Sequence, residues 1–208
     1  MNLPLLTILT AATALDLLAQ GTGVGIVNFN NVGTSLDRRI WVNGGQVGDG
    51  MLASGNNYQI ALYAGPLGTF EFSLIQVGPS VGFLTGTAAG TFIGGQRTIT
   101  GLSVNGGIVT LQARAWCTAG GIFPTYESAV VGMSPTGRGA PFELKTKDPN
   151  DSNEPVPVVG QSAGWRGFQF GGLGEETVCT PEPSTVALTV LGGAACLLFV
   201  RRKKGASR

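Results

Sequence analysis

The sequence predicts an all-β protein: an antiparallel β-sandwich or jelly-roll-like body, flanked by an N-terminal signal helix and a C-terminal transmembrane helix. Three observations predict it. Short runs rich in β-branched and aromatic residues recur through the middle, each bounded by Gly, Asn or Pro. Glycine supplies 34 of 208 residues, about double its usual ~7% share, and charged residues only 12%, about half of theirs. Glycine provides the positive-φ positions that tight turns between strands need. No stretch between the two ends sustains a 3.6-residue apolar period. Hydrophobic residues, at 43%, are near the ordinary share, which argues for a packed core rather than disorder.

In chain order, the strand-like runs are 24–31 (VGIVNFNN), 38–43 (RRIWVN), 57–65 (NYQIALYAG) and 70–78 (FEFSLIQVG). Next come 97–104, 107–116 (GIVTLQARAW), 125–131 (TYESAVV), 142–146 and 166–172. The alternation is visible in 107–116. Val109, Leu111, Ala113 and Ala115 face one way; Ile108, Thr110, Gln112 and Arg114 face the other. Asn43-Gly44-Gly45 and Asn105-Gly106-Gly107 read as hairpin turns. Residues 147–157 are polar and Pro-rich, the composition of a long exposed loop. The expected organisation is a signal peptide at 1–19, a β-sandwich domain at 20–172, a flexible stalk at 173–183 and a sorting helix with a basic tail at 184–208.

Charge and composition exclude several functions. Five of the thirteen basic residues lie at the C-terminal end, so 20–180 holds eight basic and ten acidic residues, a balance of −2. No basic patch exists there to attract nucleic acid. Histidine is absent, which removes Ser-His-Asp and Cys-His catalysis and argues against a zinc enzyme. Gly21-Thr22-Gly23-Val24-Gly25 lacks the Lys-Ser/Thr of a phosphate loop. No cofactor is expected, and the body reads as non-enzymatic.

The two ends read as addresses. Leu3 to Ala19 is mostly apolar and resembles a secretory signal peptide, with cleavage after Ala19; a buried helix is the alternative. Thr185 to Val200 is a second apolar run, about 24 Å long as a helix against a ~30 Å hydrocarbon core. Arg201, Arg202, Lys203 and Lys204 follow it, can snorkel to the interface and would stay on the cytoplasmic side. A core helix is the bland alternative, which four consecutive cations disfavour.

Pro181-Glu182-Pro183, the apolar run and the basic block, in that order, resemble a PEP-CTERM sorting signal. The resemblance covers about the last 28 residues. It implies a Gram-negative-type bacterium and an exported chain passed through the secretion machinery and signal peptidase. It further implies transient anchoring in the inner membrane, cutting near Pro181-Glu182-Pro183 by an exosortase, and delivery to the cell surface or an exopolysaccharide matrix. Prolines at 181 and 183 keep the cut site extended and outside the helix. The body is also similar to a group of PEP-CTERM proteins without an assigned activity, through Gln20-Gly21 with Val27 to Asn31, Tyr58 to Thr69, and Val109 to Trp116.

Four constellations remain as candidates. Asp148, Asn150, Asp151, Asn153 and Glu154 offer hard oxygens to Ca²⁺, without the spacing of an EF-hand; a solvated loop is the competing reading. Cys117 and Cys179 can form a disulfide in an oxidising compartment. Glu71, Glu127 and Glu143 could pair as glycosidase carboxylates, which would make a hydrolase. Trp41, Trp116, Trp165, Tyr58, Tyr63 and Tyr126 could stack on sugar rings, the alternative reading of a carbohydrate-binding module with exopolysaccharide as its partner.

Overall fold

The computed structural model describes residues 21–42 and 50–171. The expected signal peptide, stalk and sorting helix lie outside the described residues, as does Asn43-Gly44-Gly45. The described chain is β-rich, with predominantly antiparallel sheets.

The longest pairing joins β4 (Gly55–Pro66) to β8 (Ile108–Cys117), antiparallel from Tyr58 opposite Cys117 to Pro66 opposite Val109. β10 (Phe142–Lys145) and β9 (Thr136–Arg138) extend the sheet beside β8; β5 (Ile75–Gln76) and β6 (Val81–Phe83) extend it beside β4. A separate ribbon pairs β1 (Gly23–Asn30) with β7 (Ile93–Leu102). A third, small sheet holds β2 (Trp41–Val42) between β3 (Met51–Leu52) and β11 (Gln169–Phe170). The β11–β2 pairing is parallel, against the antiparallel rule elsewhere.

Alternation explains the main core. Val27 and Phe29 of β1, Ile60, Leu62 and Ala64 of β4, Ile99 and Leu102 of β7, and Val109, Leu111, Ala113 and Ala115 of β8 share one buried cluster. Phe92, Trp165, Phe168 and Phe170 complete it. Burying each large aliphatic or aromatic side chain of this kind stabilises the fold by roughly 1.5–3 kcal/mol. Asn31 is fully buried and satisfied: its amide donates to Arg38 O and Gly90 O, both at 3.2 Å, and its Oδ1 accepts from Phe92 N at 2.8 Å. The polar loop protects the outer edge of β1. Ile26 and Lys147 exchange backbone hydrogen bonds at 3.0 and 2.9 Å, and Asn28 N donates to Pro157 O at 2.8 Å.

Several expectations are corrected. Residues 125–131 form a helix, α1 (Tyr126–Val131), not a strand. Thr125 caps it reciprocally with Ser128, and Tyr126 and Ala129, three apart, are its buried face. The 70–78 run is mostly a 3-10 turn at Glu71–Ser73, leaving only the two residues of β5 extended. In 38–43 and 166–172 only the two-residue strands β2 and β11 form. The Asn105-Gly106 turn is not a hairpin: it carries the chain from β7 in the ribbon to β8 in the large sheet, and these two strands do not pair. β1 holds it instead. Val24 N donates to Asn105 Oδ1 at 2.8 Å, Gly106 N donates to Val24 O at 3.0 Å, and Gly106 takes φ 66°.

Candidate functional site

The second face of β8 is also buried. Thr110, Gln112, Arg114 and Trp116 are covered, so a strand read as half-exposed has cores on both sides. Opposite them β4 contributes Ala61 and Tyr63, α1 contributes Tyr126 and Ala129, and Leu74 closes the edge. This secondary cluster is where the protein concentrates its buried polar chemistry.

Arg114 sits at its centre. Its guanidinium lies 4.0 Å from the centroid of the Tyr63 ring and 5.5 Å from that of Tyr126. Nε donates to Gln112 Oε1 at 2.8 Å and Nη2 to the Glu71 carbonyl at 2.7 Å. Nη1 faces Glu127 Oε1 at 3.7 Å. Gln112 passes the network on by donating to Gly139 O at 2.9 Å. The Tyr63 hydroxyl donates to Glu127 Oε1 at 2.8 Å. Burial, and then the hydrogen bond to Glu127, push the Tyr63 phenol well above its ordinary pKa. Trp116 Nε1 donates to Phe123 O at 3.0 Å. One cation thereby ties the sheet to α1 and to the turn at 71–73.

The structure brings together two of the three candidate carboxylates, but each faces a guanidinium. Glu71 Oε1 lies 2.7 Å from Arg138 Nε, and Glu127 lies against Arg114. Glu143 stands exposed on β10, opposite Thr110. The candidate sugar-stacking rings form no solvent-facing row. Trp116, Trp165, Tyr63 and Tyr126 are buried, and Trp41 and Tyr58 are half-buried. The rings that do stand out are Phe70 and Phe72, 83% and 84% exposed.

The oxygens of the 148–154 loop are turned inward on the loop itself. Asp148 Oδ1 accepts from Asn150 N at 2.8 Å, and Asp151 Oδ1 from Asn153 N at 2.9 Å. Glu154 accepts from Lys145 Nζ at 2.8 Å and from Asp148 N at 2.9 Å. The hydrogen bond from Lys145 holds the Glu154 carboxyl below its ordinary pKa and, reciprocally, raises that of the lysine. Among the described residues no three His, Cys, Asp or Glu side chains converge to hold a metal.

Cys117 ends β8, is 2% exposed, and takes part in a disulfide. Cys179 lies outside the described residues, as do Pro181, Glu182 and Pro183 and the block Arg201 to Lys204. Among the described residues no helix is long and apolar enough to cross a membrane. A cavity of about 410 Å³ lies between β5 and β7, lined by Ala64, Ile75, Gln76, Thr98 and Thr100 among others; no acid, base or aromatic ring lines it.

Sequence reasoning missed Arg114 and Gln112 as a buried pair. The available signal was a cation and an amide inside a run of small apolar residues that ends in Trp116. Its three stretches of resemblance to PEP-CTERM proteins are spatially joined: β4 and β8 pair along their length, and β1 packs into the same core. Comparison with family models, with curated proteins and with solved structures returns no match in any of the three.

Proposed function

We propose that this protein is an exported, non-enzymatic component of a bacterial cell envelope or exopolysaccharide matrix, sorted through a PEP-CTERM signal. The observation that carries the reading is the ordered triple of Pro181-Glu182-Pro183, the apolar run Thr185 to Val200, and Arg201-Arg202-Lys203-Lys204. Glu182 is a recognition residue in this scheme, and the basic block retains the precursor in the membrane until it is cut. In the finer reading of the fold, the β1–β7 ribbon and the large sheet are the two layers of a sandwich. The turn at Asn105-Gly106 supports that reading, because it passes between sheets rather than within one. The non-enzymatic reading is supported by the absence of histidine and by the engagement of Glu71 and Glu127 with guanidinium groups. The carbohydrate-binding alternative loses the aromatic platform on which it was based, because most of those rings are buried.

The test is the intact mass of the protein recovered from the native cell surface or medium. The expected mass lacks the residues before Gln20 and those beyond about Pro183. A mass that retains Arg201 to Arg208 would refute sorting by cleavage.

A further inference from the structure

We infer that Cys117 and Cys179 form the disulfide, and that it clamps the segment bearing the cut site to the body at the end of β8. The inference uses the proposed export only for the oxidising compartment in which the bond forms. Cys117 is a disulfide cysteine, and the chain contains only two other cysteines, Cys179 and Cys196. Geometry favours the nearer one. The described chain ends at Gly171, directly after β11. The Phe170 ring lies 5.5 Å from the ring of Tyr58, and Tyr58 is the cross-strand partner of Cys117. Gly137 of β9, which pairs with Ala115 of β8, packs directly against Phe170. The chain therefore leaves the body beside Cys117. Eight residues separate Gly171 from Cys179, a reach of up to about 26 Å when extended. That is ample to bring two Cα atoms within the ~7 Å a disulfide requires. Cys196, by contrast, sits within the apolar run 185–200, which the sorting scheme places in the bilayer, away from β8.

Cys179 precedes Pro181 by two residues. A cut near Pro181-Glu182-Pro183 thus leaves a new C-terminus that begins almost at the bridge, so the mature chain ends stapled to its own sheet. The bond closes by exchange: the two thiols give two electrons and two protons to the disulfide of a dithiol oxidoreductase, which leaves as a dithiol. The clamp is a modification of the exported form. It fixes where the sorting motif stands relative to the body.

Peptide mapping of the full-length chain from the oxidising compartment, alkylated without reduction, tests this. Trypsin releases Ala115–Arg138, and a glutamyl endopeptidase cutting at Glu176 and Glu182 separates Cys179 from Cys196. The expected product is Ala115–Arg138 linked to Thr177–Glu182, lost on reduction. A Cys117–Cys196 link, or alkylated Cys117 and Cys179, overturns the proposal. In C179S the expected result is one additional alkylatable thiol, at Cys117, after denaturation; a Cys117 that stays oxidised in that variant also overturns it. The sorting reading is judged separately by intact mass. A processed chain with both thiols alkylated refutes the clamp alone, and an unprocessed chain carrying the Cys117–Cys179 link supports the clamp while refuting sorting.

Discussion

Replacing Arg114 with methionine keeps most of the packing volume and removes the charge and all its donors. The structure sets the size of the loss. The Glu71 carbonyl and Gln112 Oε1, now at 2.7 and 2.8 Å from Arg114, each lose their partner. An unsatisfied buried acceptor costs about 1–3 kcal/mol. The guanidinium over Tyr63, 4.0 Å from its centroid, contributes about 1–2 kcal/mol more where it is desolvated. Local relaxation and a better fit of the apolar chain offset part of this, leaving about 3 kcal/mol. For a domain of this size that lowers the thermal midpoint by roughly 6–12 °C. The ion pair itself supplies little, because Glu127 is 60% exposed and 3.7 Å away. Glu127→Gln also keeps an acceptor for the Tyr63 hydroxyl, so it should cost no more than about 0.5 kcal/mol. Urea unfolding followed by tryptophan fluorescence reads both variants, since Trp116 and Trp165 are buried. An E127Q loss equal to that of R114M would show that charge pairing, not buried hydrogen bonding and ring stacking, holds this face. An unchanged midpoint in R114M would refute the clasp altogether.

Gly160→Ala should destabilise by about 1–3 kcal/mol, because its Cβ would fall 2.4 Å from the backbone Cα of Asn31, which cannot yield as a flexible side chain could; a wild-type midpoint in thermal unfolding would show that this packing is looser than described. The raised pKa of Tyr63 makes its contribution to stability complete below the unfolded phenol value of about 10, and that contribution is lost as pH rises from there through the folded value. Titration at 295 nm should therefore give native protein and Tyr63→Phe the same amplitude up to about pH 11; a larger native amplitude in that range means that Tyr63 ionises normally. Millimolar Ca²⁺ should leave the thermal midpoint unchanged, since Glu154 is held by Lys145 and Asp148 and the two aspartates accept from their own loop. An upward shift that is abolished in Asp151→Asn would make the loop a cation site.

β1 was legible because its periodicity is one-sided: Val27 and Phe29 alternate with partly exposed residues, and the ribbon has a single buried face. β4 and β8 were legible as strands for the same kind of reason, their density of β-branched and aromatic residues. The face of β8 bearing Gln112 and Arg114 was not, because polar residues at alternate positions look the same whether water or α1 lies over them. α1 itself was misread through Val130 and Val131, whose β-branching outweighed the Thr125–Ser128 capping pair in a segment only six residues long. At 70–78 the alternating Phe70 and Phe72 imitate an inward strand face, yet both rings stand in solvent, because the turn at 71–73 delivers the Glu71 carbonyl to Arg114.

By itself, then, the sequence determined the β-rich class, the positions of the long strands and the order of the terminal motifs. These properties live in windows of ten residues or so, where propensity, period two and turn chemistry act. Only the tertiary structure decided that β7 pairs with β1 and not with β8, that β8 is buried on both faces, and that Arg114 joins Glu71 to Glu127. Those outcomes depend on which apolar surfaces compete to leave water and which distant backbone groups satisfy one another. That competition runs over the whole chain, and no local pattern records it.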